Sequence, residues 1–473
     1  MANSYLTKDF GSAGNRKTMT FSLWVKRNVI GYGGDTQELF IGDAQSSYPS
    51  HFIEFSSANK LDIRSQDGVS GATLRFTSVR EFIDTTAWYH VVVAIDTTQA
   101  SAGDRCKAWV NGEQITAWGT STQSNGFGQN SDTNFNSGAS TEYIGKHYNF
   151  HSNFNLAHYH FVDGTALTPS TFGETDSTSG IWKPKTNPSV TYGTHGFFLK
   201  FENAGALGTD SSGNSKTWTV NGNLKQSIST PDNKFPNLNP RGTNADYDTP
   251  VYNLNAGTTA LMTTGTNRVQ PIDMCFQGGK WYWECKIEKA NNSATLGVYR
   301  TDFSSAKRIE QFNADLALQS ASNGGKGAVS FLADASSSKI QNAGSTVTYG
   351  ANCSDGDIIM FAFDSATGKV WTGRNGTWNN APGTSNVGNP ASGTYDSGTV
   401  LVNTDNNLMS FYISGRNSDS TNRYMYINFG HGYFGTTAVA SANADGNGKG
   451  SFEYAPPTGF LALCSSNIQT DGG

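Results

Sequence analysis

The chain has 473 residues, too many for a single core, so two or three domains are expected. It carries 33 basic and 38 acidic residues, a formal charge of −5 spread without blocks, which disfavours nucleic-acid binding through a basic face. Glycine is very frequent at 53 residues, and Thr, Ser and Asn crowd between short aromatic or β-branched runs with little 3.6-residue apolar period, so the composition predicts an all-β chain rich in turns.

The N-terminal stretch MANSYLTKDFGSAG lacks a basic segment followed by an apolar one, so no signal peptide is expected. No apolar run approaches ~18 residues, and no membrane insertion is expected either. Residues 21–27, FSLWVKR, alternate cleanly with Phe21, Leu23 and Val25 facing in. Short strands follow at 38–41, 52–55, 61–64 and 72–76, divided by Gly-Asp and Tyr-Pro-Ser turns. Residues 88–115, WYHVVVAIDTTQASAGDRCKAWVNGEQI, are the clearest unit of the first half. Tyr89, Val91, Val93 and Ile95 fall on one side and Trp88, His90, Val92 and Ala94 on the other, so this strand is expected to be buried on both faces. Asp96 ends it, a polar run turns the chain, and Asn111-Gly112 closes a hairpin whose type I′ turn needs positive φ at both positions. A Ser/Asn/Gly-rich loop spans 119–140, and strands at 143–145 and 156–162 complete the set.

Residues 196–201 read as one more strand returning to this first sandwich. The stretch 208–239 is polar, Gly/Ser/Asn-rich and closed by Pro231, Pro236 and Pro240, and it reads as a connector. It is long for an unstructured loop, so part of it should lie ordered along a domain surface or a neighbouring subunit. The expected division is 1–205, a connector over 206–250, and a second domain over 251–473. In that second domain KWYWECKIEK (280–289) is a strand with Trp281, Trp283, Cys285 and Ile287 on the core face. Strands at 296–300 and 329–332 follow it. Residues 357–378, DIIMFAFDSATGKVWTGRNGTW, then repeat the earlier grammar of strand, Asp, polar turn, strand and Asn-Gly. Two copies of one pattern suggest two antiparallel two-layer β-sandwiches. Further strands are expected at 408–414, 424–430 and 459–464. The five cysteines are scattered and odd in number, and three of them (Cys106, Cys285, Cys464) sit inside apolar runs, so reduced thiols are expected.

FSLWVKR, WYHVVVAID, KAWVNGEQI, EYIGKHY and LAHYHFVDGTALTP, in that order over roughly 15–170, resemble the laminin-G/pentraxin branch of concanavalin-like lectin sandwiches. That resemblance implies a jelly-roll sandwich; its rim calcium is not carried over, because no compact Asp/Asn cluster matches it. FVDGTALTPSTFGETDSTSGIWKPK, YGTHGFFLKFENAGALGTDSSGNSKTWTVNG and STPDNKFPNLNP resemble virion proteins of tailed bacteriophages, especially marine ones. KWYWECKIEK, LGVYR, GDIIMFAFD, GKVWTGRNGTW, YINFG and GFLALC resemble the SPRY fold over about 255–466, with a long Asn/Gly/Ser insert at 379–398. SPRY domains bind rather than catalyse.

Glycoside hydrolysis needs two carboxylates ~5–9.5 Å apart across the sugar. No E-x-D-x-E stretch occurs, and the nearest pair, Glu284 and Glu288 with Lys286 between them, would lie ~13 Å apart along a strand on what reads as a solvated sheet face. His147, His151, His158 and His160 cluster, and His158 and His160 share a strand face as H-x-H ligands would, making them the weak metal candidates of a chain for which no metal is expected. Sugars dock apolar C–H faces on aromatic rings while amides and carboxylates bond the hydroxyls. Trp118, Tyr148 and Phe150 by the first rim, and Arg374 and Trp378 beside the second hairpin, are therefore the candidate ligand-binding residues. The resemblances together imply a virion tail fibre or adhesin, assembled in the host cytoplasm, homotrimeric and bound to other virion proteins. It would bind a host-surface polysaccharide or receptor, and it needs no catalytic residues and no cofactor. A capsid or tail decoration protein is the alternative, and a polysaccharide depolymerase a third.

Overall fold

The computed structural model describes residues 4–30, 36–42, 50–66, 73–124, 128–177, 180–239, 252–254, 257–262, 267–290, 294–301, 327–342, 345–350, 352–400, 408–416 and 423–471. Residue 72 of one predicted strand, 125–127 of the predicted rim loop and 240–250 of the predicted connector lie outside them. The chain forms two compact units, Met1–Gln226 and Ser227–Gly473.

In the first unit one sheet has eight strands, in the order Trp118–Ser124, Thr73–Glu81, Lys60–Gln66, His51–Phe55, Gln37–Gly42, Glu142–Ile144, Tyr5–Lys8 and Thr219–Asn221. The other has six: Phe197–Leu199, Phe154–Asp163, Thr18–Arg27, Tyr89–Asp96, Cys106–Val110 and Glu113–Gln114. Between them lies one core of Phe21, Leu23, Val25, Ile53, Phe55, Ile63, Val91, Val93 and their neighbours. The Tyr89–Asp96 strand is central and buried on both faces, as its doubly apolar pattern requires. Its second face meets Trp24, Trp88, Ala157 and Trp182. Asn111 (φ 52°) and Gly112 (φ 84°) both have positive φ, and the Asn111 Oδ1 accepts the His90 N–H at 2.8 Å.

The second unit is also a two-sheet sandwich. Its larger sheet runs Tyr252–Leu254, Thr259–Met262, Arg423–Asn428, Lys280–Ile287, Ile358–Asp364, Lys369–Arg374 and Thr377–Trp378. Its six-stranded partner runs Asn267–Pro271, Met409–Arg416, Ala294–Arg300, Ala328–Ala333, Lys339–Asn342 and Ser345–Thr348. Trp281, Trp283, Cys285 and Ile287 face a core with Phe361, Phe363, Phe411 and Ile413. All described strand pairings are antiparallel except that of Leu461–Ala462, which runs parallel beside Lys280–Ile287.

The described part of the expected connector, 206–239, is divided between the units. Trp218 is buried among Phe10, Phe40 and Phe197, and Thr219–Asn221 pairs with Tyr5–Lys8, so this part belongs to the first sandwich. Phe235 and Leu238 are buried in the second unit. There Lys234 Nζ lies 3.1 Å from the Asp273 carboxylate.

Phe235 joins Tyr282, Met360, Trp371, Phe452, Phe460, Ala462 and Cys464 in a cluster on the outward face of the larger sheet. This extra layer corrects the expectation of a solvated face around Glu284. The chain returning over 430–464 covers that half of the sheet, and Glu284 is fully buried beneath it.

Candidate functional site

Three outward-facing regions carry polar or aromatic chemistry. The first is a hairpin of the first unit, formed by Lys146–His147 and Phe150–His151. Lys146 Nζ sits 4.5 Å from the Tyr5 ring centroid and 5.9 Å from that of Tyr143, and His151 lies 5.7 Å from Tyr5. Lys146 and His151 are direct cross-strand partners, so together they hold the hairpin on the Tyr5–Tyr143 pair. At its tip Tyr148, with φ 53°, is 47% exposed, and Phe150 is 49% exposed. Rings this open on a fixed turn suit contact with a ligand.

Trp118, grouped with these two by the sequence, lies instead in the edge strand Trp118–Ser124, half-buried against Phe76 at 5.2 Å. In the second unit Trp378 packs edge-on to Tyr282 at 6.4 Å within the outer apolar cluster. Arg374 is engaged with the Asn352 carbonyl and, at 3.3 Å, with Asp357. These three side chains are half-buried against neighbours, and only Tyr148 and Phe150 of the sequence candidates stand together in solvent.

The histidine reading is corrected. A bulge between Ala157 and His160, with His158 at φ 46°, breaks the alternation that an H-x-H pair needs. Both rings lie beside Phe198, at 6.0 and 3.9 Å, and His160 bonds the Tyr192 hydroxyl through Nδ1 at 2.8 Å. Burial, with His158 and His90 nearby, holds His160 well below the usual imidazole range. His90 is buried too. It takes the Trp182 indole N–H at 2.9 Å, lies 2.9 Å from Ser22 Oγ, and is lowered to about 3 by burial and by His158. His90 and His160 are neutral packing histidines. Among the described residues no group of three or more His, Cys, Asp or Glu side chains could hold a metal.

The second region is a row of carboxylates on the outward face of the eight-stranded sheet. Glu38 pairs across strands with Glu54, Glu54 with Asp62, and Asp62 with Thr77. Asp62 is neutralised by Arg75 at 2.7 Å and accepts from Thr77 Oγ1 at 2.9 Å. Glu38 meets Thr36 Oγ1 at 2.5 Å and His147 Nδ1 at 3.4 Å. Burial first, then the Glu38 carboxylate, pushes Glu54 up to about 10, so Glu54 is a neutral carboxyl that can donate to Glu38. A search for carboxylates two apart along one strand could not find this row, because its members are neighbours only through sheet register. Glu38, Glu54 and Asp62 are all buried, which closes the row to a polysaccharide.

The third region is a cleft of about 440 Å³ in the second unit, on the half of the larger sheet that the outer apolar cluster leaves open. Tyr424, Tyr426, Lys286 and Glu288 line it. The two tyrosine rings are nearly parallel, 11° between planes and 6.1 Å between centroids. Glu288 accepts the Tyr424 N–H on Oε2 at 3.0 Å. Sequence reading took Glu288 only as half of a distant acid pair; strand pairing of Arg423–Asn428 with Lys280–Ile287 is what assembles the cleft.

These features define a two-unit β-sandwich protein with outward-facing aromatic surfaces of the kind used for binding. A sequence model of the Laminin_G_3 family, described as Concanavalin A-like lectin/glucanases superfamily, matches residues 2–171, so the first unit is similar to that superfamily. Comparison with curated proteins gives no match. Solved structures with partial similarity include the SPRY domain of human HERC1, 15% identical over 40% of this chain and 96% of that one, with a TM-score of 0.28. The TRIM65 PSpry domain is 11% identical over 41% of this chain and 89% of that one, with a TM-score of 0.26. Stonustoxin is 11% identical over 41% of this chain and 28% of its own length, with a TM-score of 0.24.

Proposed function

We propose that this chain is a bacteriophage virion protein, a tail fibre or adhesin, that attaches reversibly to a host-surface glycan or protein. The observation that carries the reading is the Tyr148/Phe150 hairpin tip, two open rings on a fixed turn of a unit similar to concanavalin-like lectins. A rigid β scaffold presenting exposed aromatics needs no catalytic pair to bind, and the only contiguous carboxylate row described is sealed. One such site is weak, and linking several raises avidity by ~10²–10⁴ when their spacing fits, which is the reason to propose a homotrimer.

The purified chain should sediment as a trimer and bind susceptible host cells or their extracted surface polysaccharide without shortening the polymer. The double variant Tyr148→Ala/Phe150→Ala should lose most of that binding while its Tm stays within a degree or so, since exposed positions have little effect on stability. Polymer shortening would replace this reading with a depolymerase. Absence of host binding, with the hairpin seated against another particle protein in a map of the virion, would replace it with a decoration protein.

A further inference from the structure

We propose that the Tyr424/Tyr426 cleft of the second unit is a carbohydrate-binding site for a short, neutral pyranoside segment. The site is separate from the hairpin of the first unit and does not depend on the attachment reading.

The argument begins with the sheet. Lys286 lies near the end of Lys280–Ile287 and Glu288 just beyond it, both lining the cleft, and Lys286 is the direct cross-strand partner of Tyr426, which in turn pairs with Thr259. All four therefore project outward, while Cys285, Ile287, Met425 and Ile427 project into the core. The same outward face is sealed further along by the apolar cluster around Tyr282 and Trp371, and it is open here. A volume of about 440 Å³ lies in the lower part of the range of small-ligand pockets, roughly 300–1,000 Å³.

The chemistry of the lining selects the ligand. Two near-parallel rings offer apolar faces for sugar C–H groups, and each ends in a phenol that can donate or accept. Glu288 is set in advance: its backbone N–H bonds the Tyr424 carbonyl at 3.2 Å and its Oε2 takes the Tyr424 N–H at 3.0 Å, so its carboxylate is fixed where it lines the cleft. Lys286 makes no ion pair with Glu288, although the strand rise puts their Cα atoms only about 6.6 Å apart. An ammonium donor and a carboxylate acceptor on neighbouring outward positions can both bond hydroxyls of one bound sugar. Their charges cancel, so the lining carries no net charge that would favour a uronate or an amino sugar over a neutral polyol, which can use both groups. The Thr437 hydroxyl at the rim adds a further polar contact.

The test uses the full chain titrated with cello-, malto-, manno- and laminari-oligosaccharides, with oligogalacturonate and chitosan oligomers as charged controls, followed calorimetrically and by tyrosine fluorescence. At least one neutral oligosaccharide should bind saturably. Tyr426→Ala should weaken it about tenfold, whereas Tyr426→Phe, which keeps the ring, should weaken it less. Glu288→Gln keeps an acceptor for the Tyr424 N–H and should still lower affinity several-fold, so the site remains testable even if an alanine variant folds poorly. Saturable binding only of the charged oligomers, no saturable binding at all, or binding indifferent to Tyr426→Ala would overturn the proposal. Host-cell attachment that persists while no oligosaccharide perturbs these tyrosines would overturn this inference and leave the attachment reading standing. Neutral-sugar binding here without host attachment would do the reverse.

Discussion

Glu54 and Glu284 are both buried carboxyl groups on the outward face of a large sheet, yet their surroundings make opposite demands on charge. Glu284 receives four donors: the Tyr282 hydroxyl and Tyr454 N–H on Oε1, and the Asn428 amide and Glu453 N–H on Oε2. Burial raises it to about 7, and those donors pull the other way. Glu54 has burial and Glu38 acting together, and it is raised to about 10. In both, the folded pKa lies above the ordinary value of 4.5, so each contributes most to stability below pH 4.5 and loses that contribution as pH rises through the folded pKa. The two glutamines should nevertheless differ in sign. Glu54→Gln replaces a neutral carboxyl by a neutral amide, so Tm at pH 8 should rise by a few degrees and the alkaline loss of stability should flatten. Glu284→Gln turns an NH₂ group towards donors, and should cost roughly 2–4 kcal/mol near pH 5, a cost that shrinks as pH rises through about 7 and the native carboxyl loses its own contribution. Thermal melts of both variants across that range check the contrast, and shifts of the same sign would refute it.

The hairpin elements show most directly how local sequence becomes structure. Asn375 (φ 48°) and Gly376 (φ 84°) repeat the conformation of Asn111 and Gly112, and Asn375 Oδ1 accepts the Ile358 N–H at 2.9 Å just as Asn111 Oδ1 accepts that of His90. A Cβ on Gly112 would meet the Trp182 ring at 3.2 Å, and one on Gly376 the Tyr454 ring at 3.1 Å. Gly112→Ala and Gly376→Ala should each lower stability by about 1–2 kcal/mol in urea unfolding, adding crowding to the strain of positive φ. A neutral result at both would mean that these turns do not need their conformation. Such turns were legible because the signal lies in two adjacent residues, and the strands were legible because alternation lies within six or eight. The edge strand that begins at Trp118 was not legible because no local signal separates a loop aromatic from one on an edge strand. The Glu38–Glu54–Asp62 row and the Tyr424/Tyr426/Lys286/Glu288 cleft were not legible because cross-strand neighbours are set by register between segments distant in sequence. Glu284 looked solvated for a related reason: its cover comes from Phe235 and the chain beyond residue 430.

At the scale of the whole molecule, the question is where one cooperative unit stops and the next begins. The polar composition of 206–250 suggested a connector, but composition does not register a single large side chain. Trp218 closes the first core against Phe40 and Phe197, and Asp210 gathers the N–H groups of Phe198, Ser212 and Lys216. On the other side of Gln226, Asn237 and Leu238 donate backbone N–H groups to Asp273 and Gly257, and Phe235 fills the space beside Gly430. Removing a buried Phe or Trp costs about 3–5 kcal/mol, a large share of the roughly 5–15 kcal/mol that stabilises a domain. Fragments 1–226 and 227–473 should therefore each express as soluble proteins with a single cooperative melt. Fragments cut at the compositional boundaries, 1–205 and 250–473, should melt at least about 6 °C lower or fail to fold, given a shift of about 2–4 °C per kcal/mol for units of this size. Differential scanning calorimetry of the four fragments decides the matter. If 250–473 melts as high as 227–473, the segment carrying Phe235 and Leu238 is dispensable, and the second unit begins after the prolines.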